Sequence, residues 1–183
     1  MKFAGREVPI FEKERRRFAI PPDVSDEELI AEPQPRVAEA LLADLISAVE
    51  EQDGEKLEWA LGPQTRLWPR DERARLILQK IATASWHSRH EDIAVVLDGM
   101  RHPDSVPTLR AMAEFAEPIW AGREDSSRAL WRKAIWAMRK IGTDDAVRAI
   151  EALRHNESPR VRELAEYHLA AIRAGKYGAN WRS

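Results

Sequence analysis

The chain of 183 residues is 44% hydrophobic, enough to bury a core as one domain or one short array. Its 29 Lys and Arg against 31 Asp and Glu leave a formal net charge of -2, without the basic excess that phosphate binding draws on, so nucleic acid is disfavoured as the main partner. With no cysteine, a disulfide framework, a thiolate metal site and a cysteine nucleophile are excluded.

Residues 1–35 read as an irregular arm. Pro9, Pro21, Pro22, Pro33 and Pro35 stand too close together for a long helix, although Ser25 and Glu28 form a capping box that can start one turn through Leu29 and Ile30. "KERRR" at 13–17 suggests an arm for nucleic acid or an acidic partner, but Glu7, Glu12 and Glu14 dilute it. The favoured expectation is a solvated arm that packs Phe11 and Phe18 on the first helices. The opening "MKFAGREVPIFEKERRRF" has no apolar leader core, and nowhere do about 18 apolar residues run together, so a cytoplasmic protein with no membrane segment is expected.

Residues 36–183 are expected to form one helical domain. Val37, Leu41, Leu45 and Val49 recur every fourth residue, which predicts an amphipathic helix over 36–52, ended by Asp53-Gly54. A short helix over 55–61 stops at Gly62-Pro63, and further helices are predicted at 71–86, 89–101, 104–117, 127–141, 144–154 and 159–173. The final "GKYGANWRS", with Trp181, is expected to cap the exposed edge of the last helix pair.

These helices repeat. Sliding 127–172 by 31 residues pairs Leu130 with Val161, Ala134 with Ala165, Trp136 with Tyr167, Met138 with Leu169 and Ile141 with Ile172. A copy at an offset of 41 pairs Ile93 with Ala134, Leu97 with Met138, Val106 with Val147 and Leu109 with Ile150, the extra residues falling in "FAEPIWAGRED". Within each copy the turn is legible. Arg139 and Lys140 close one helix, Gly142 tolerates positive φ, Asp144 and Asp145 open the next, and Ser158 stands as N-cap before Pro159.

"IGTDDAVRAIEAL", "SPRVRELAEYHLAAI" and the 31-residue period resemble the HEAT-like repeats of the family first recognised in phycocyanobilin lyases. The resemblance covers 89–173 well, 36–86 as generic helices only, and the arm not at all. It implies an all-α fold, a HEAT-like α-solenoid of stacked antiparallel helix pairs with a curved surface. That scaffold carries enzymes and plain binding proteins alike, so it does not decide between them.

On the enzyme side, His90-Glu91 at the start of a first helix is similar to the iron-binding His-Glu motif of deoxyhypusine hydroxylase, another HEAT-repeat protein. A two-iron site needs several such pairs, and the equivalent positions here carry Trp131-Arg132 and Arg162-Glu163, so a polar loop-to-helix junction is the favoured reading. HEAT-like DNA glycosylases set tryptophans around an acid on a basic face, for which Asp71 and Glu72 after Trp68 come closest. No phosphate loop or nucleophile elbow stands out. The expectation is no catalytic residue, no metal and no cofactor, with a glycosylase-like or pigment-lyase-like enzyme as the alternative.

The tryptophans carry the binding expectation. Trp136, flanked by Arg132 and Lys140, is matched by Val95 and Tyr167, and a register apolar in all three copies reads as packing between neighbouring repeats. Trp131 is matched by His90 and Arg162, and Ile135 by Glu166, which suggests an apolar patch rimmed by Arg128 and Arg139. The competing reading buries Trp131 under the 116–126 insertion with its Ile119 and Trp120. A second candidate surface is the row of second helices bearing Arg110, Arg148, Glu151 and Arg154. The function expected is binding of another protein, as an adaptor or as an immunity protein that neutralises a bacterial toxin.

Overall fold

A computed structural model describes residues 35–61, 71–115 and 124–176. Residues 1–34 of the arm, with its capping box and "KERRR", and Ile119, Trp120 and Trp181, lie outside the described residues, whereas Pro35, read as the end of the arm, opens the first helix. Eight α-helices make up those that are described: α1 (Pro35–Glu51), α2 (Gly54–Leu61), α3 (Glu72–Ile81), α4 (His90–Met100), α5 (Val106–Glu114), α6 (Glu124–Ile141), α7 (Asp144–Ala152) and α8 (Pro159–Arg173). Single 3-10 turns at Pro103–Ser105 and Leu153–His155 join them, and no strand occurs among the described residues, so the fold is all-α.

Local chemistry sets the helix ends. Asp71 caps α3 by accepting from the backbone N–H groups of Arg73 and Ala74, and Thr143 caps α7 by accepting from Ala146. Gly142, at φ 68°, makes the turn between α6 and α7 as the sequence predicts. Ser158 takes the N-cap place before Pro159, but its hydroxyl makes no capping bond.

The helix predicted to reach 86 ends at Ile81, although "ATASW" holds neither glycine nor proline. Two histidines hold the main chain at the stop. His87 Nε2 lies 2.9 Å from the Ile81 carbonyl oxygen and His90 Nδ1 lies 3.1 Å from that of Ala82. A carbonyl only accepts, so each ring nitrogen carries the proton; the Ile81 carbonyl also accepts from the Ala84 N–H at 2.9 Å, which turns the chain beside it.

α6 is the hub of the packing. It lies against α4, α5, α7 and α8, and α5 in turn meets α7. Its buried residues therefore span a wide arc that includes Leu130, Trp131, Ala134, Ile135, Ala137 and Met138. Ala134 and Ala165, the matched small residues, are both fully buried. Between α4 and α6 the seam carries two ion pairs one heptad apart, Glu91 with Lys133 and Asp98 with Lys140, each at 2.5 Å.

Candidate functional site

The patch predicted around Trp131 is interior. Trp131 is 6% exposed and donates from Nε1 to the Phe115 carbonyl oxygen at 2.7 Å; Ile135 is fully buried and Arg139 is 6% exposed. Only Arg128 of that set faces solvent, and Trp120 lies outside the described residues. The exposed-anchor reading is therefore corrected.

Its error lay in comparing copies across links of different length. In α8 the same register meets only the short 153–158 link, where Glu166 reaches Arg154 in a surface ion pair. In α6 it meets Phe115, where the longer link begins.

The three matched residues nevertheless share a task. His90 donates to the carbonyl of Ala82, Trp131 to that of Phe115, and Arg162 to those of Asn156 and Glu157 at 2.8 Å each. Imidazole, indole and guanidinium have little in common as hydrophobes. Each supplies an N–H from a first helix to the main chain that precedes it, His90 and Arg162 from the first turn and Trp131 from about two turns into α6.

Trp136 does pack between neighbouring helices, as expected, but incompletely. Its ring stands edge-on to that of His168 in α8, centroids 5.8 Å apart, and the Arg139 guanidinium lies 4.8 Å from its centroid. The matched residues Val95 and Tyr167 are exposed, Tyr167 to 66%, so the register is not uniformly a packing surface. It runs along the outer edge of the seam, where burial depends on what the next helix brings.

Between α6 and α8 that edge opens into a hollow of about 410 Å³ lined by Arg132, Lys133, Trp136, Leu164, Tyr167 and His168. A second hollow of about 320 Å³ lies between Arg128, Ala129, Arg132 and Leu164. Arg132 and Leu164 belong to both, so the two make one groove.

The electrostatics of this groove differ from the rest of the surface. Among the described residues its lining holds three cations and no carboxylate. Lys133 is held by Glu91, whereas Arg128 and Arg132 are exposed and make no ion pair among the described residues. Arg139, beneath Trp136, has no carboxylate partner among the described residues either, and its Nε is unpartnered. Burial, with the Arg139 charge adding to it, pushes the His168 imidazole down to about 4. Its Nδ1 lies 3.5 Å from Arg139 Nη1, so the neutral ring accepts from the cation.

In two other hollows the cations and histidines are already engaged. One of about 600 Å³ between α5 and α7 is lined by Arg110 and Arg148, two residues expected to bind. Arg110 is paired with Glu114 at 3.2 Å and Arg148 with Asp145. The hollow of about 530 Å³ beside the α3–α4 link contains His87 and His90, both committed to backbone carbonyls. Burial pushes His87 down to about 4. Glu91 of the His-Glu pair is engaged by Lys133, and among the described residues no group of three or more metal-ligating side chains is placed to hold an ion. No described helix is long and apolar enough to cross a membrane.

Sequence reasoning missed Leu164, Tyr167 and His168 as parts of a site. The 31-residue offset already set Tyr167 opposite Trp136, but periodicity does not tell a packed aromatic from an exposed one. No family model, curated protein or solved structure matches the chain.

Proposed function

We propose that the chain is a HEAT-like helical-repeat protein whose work is to bind another protein, without catalysis of its own. The repeat reading draws on the internal offsets and on the order of helix neighbours, α4 beside α6 beside α8 and α5 beside α7. The binding reading draws on one observation above all. Of two seams along the same row of first helices, the α4–α6 seam is closed by two ion pairs, whereas the α6–α8 seam leaves Trp136, Leu164 and Tyr167 around an open hollow.

Aromatic side chains presented with unpaired arginines are the usual material of protein-binding hot spots. An adaptor and an immunity protein that blocks a toxin are two forms of this role. The test is affinity capture from the native lysate by the full chain, run beside Tyr167→Ala. A protein retained by the parent and lost by the variant, whose melt matches the parent's, supports the reading; no specific partner in repeated captures refutes it.

A further inference from the structure

Apolar grooves alone do not say what fills them, but the charge around this one does. Arg128 and Arg132 are exposed without an ion pair among the described residues, Lys133 adds a third cation, and Arg139 lies beneath the Trp136 ring with no carboxylate to balance it. This local cluster stands on a chain whose formal net charge is -2, and it differs from the α5–α7 hollow, where Arg110 is paired with Glu114 and Arg148 with Asp145. A segment entering between α6 and α8 therefore meets positive potential along its length and an aromatic cleft at one end. Arg128 and Arg132 lie one turn apart on α6, with Trp136 a further turn on.

We propose that the α6–α8 groove is the docking site for an acidic segment of a partner protein, which inserts one large apolar side chain between Trp136 and Tyr167 and lays carboxylates on Arg128 and Arg132. The proposal rests on the protein-binding reading and names the chemistry of the partner. Guanidinium forks match carboxylates in pairs, and a hollow of about 410 Å³ is within the range that buries a ligand-sized group.

Single-stranded nucleic acid also uses arginines and stacked aromatics, but it needs a track of cations to follow its phosphates. The groove offers two arginines one turn apart, unpaired among the described residues, which suits a pair of carboxylates and is too short a row for a run of phosphates. A short acidic segment with one apolar residue needs no longer row.

The experiment selects binders to the immobilised full chain from a random short-peptide library and then measures the affinities of the enriched peptides. Enrichment of Asp and Glu around a Trp, Phe or Leu is expected, with binding weakened about tenfold or more by Arg128→Glu combined with Arg132→Glu, and similarly by Tyr167→Ala. All three residues are exposed, so the melts of these variants report whether the fold is intact. Binding should also weaken as salt is added, through a slower association. Arg110→Glu, in the α5–α7 hollow, should leave it unchanged.

Enrichment of basic or uncharged peptides, no enrichment, or acidic peptides indifferent to the charge reversals would overturn the proposal. Oligothymidylate binding as tightly as the best peptide and lost in the same variants would overturn it in favour of nucleic acid. A lysate partner captured equally by the parent and by the charge-reversed variant would sink the groove assignment while leaving the protein-binding reading in place. Absence of any partner would sink both.

Discussion

Replacing Trp131 separates the interior assignment from the surface one more sharply than any other substitution. The side chain is 6% exposed, its ring is part of the main core cluster, and its Nε1 bonds the Phe115 carbonyl. Trp131→Ala removes the buried ring and should cost about 3–5 kcal/mol. Trp131→Phe keeps most of the ring but deletes the donor, leaving the half-buried Phe115 carbonyl without it at about 1 kcal/mol. For a chain of this length each kcal/mol moves the midpoint by about 2–4 °C, so the alanine variant should melt roughly 6–20 °C below the parent.

Far-ultraviolet circular dichroism during heating and urea titration measures both variants, with an unchanged urea slope confirming that only stability has moved. Tyr167→Ala is the control: that residue is 66% exposed, and its loss should stay within about 0.5 kcal/mol. A Trp131→Ala protein as stable as the Tyr167→Ala protein would refute the interior placement and return Trp131 to the surface.

Ala165 is fully buried in the register matched to Ala134, so Ala165→Leu should overpack the contact of α8 with α6 and cost about 1–3 kcal/mol in the same melts. In acid, the neutral forms of His87 and His168 are favoured in the folded chain down to about 4, against 6.5 for a free imidazole. The unfolded chain then binds the extra protons. Stability should be full above about pH 6.5, fall as the pH drops towards 4, and lose nothing more from these two groups below that. His168→Gln should flatten the fall relative to its own value at neutral pH; an equally steep curve would remove His168 from the account. A double-mutant cycle on Asp98 and Lys140, whose side chains are 23% and 16% exposed, should give a coupling near the upper end of about 0.2–1 kcal/mol, and a value of zero would mean that the pair does not fasten α4 to α6.

How far the chain could be read from its sequence depended on what each signal measures. Helical periodicity reports which residues face the interior, and it located α8 to the residue and α1, α2 and α4 to within one or two. It overran α3, because the end there is marked by a backbone turn from Ala84 to Ile81 and by two histidines beyond it, not by a glycine or proline.

The capping signal was partly legible. Gly142 took its expected conformation, whereas the cap of α7 is the Thr143 hydroxyl and the Ser158 hydroxyl caps nothing. For the site, the internal alignment identified both tryptophans and matched Trp136 with Tyr167, but it assigned exposure by residue type. Trp131 seemed out of place beside His90 and Arg162 because hydrophobicity was compared where donor geometry was common to all three. Arg139 read as a rim charge, yet the neighbouring helix α8 covers it and sets His168 against it.

The shared N–H donation from His90, Trp131 and Arg162 also bears on how such a chain can change. Its acceptors are main-chain carbonyls, which every residue type offers, so drift in the sequence of a link does not abolish the contact. The 82–89 and 153–158 connections are each tied at the head of the following helix, and Phe115 is tied from about two turns into α6. What is constrained at that position is reach: imidazole, indole and guanidinium each span a different gap. Lengthening or shortening a connection then requires one compensating substitution, and the joints between helix pairs become the places where insertions and deletions are most readily absorbed.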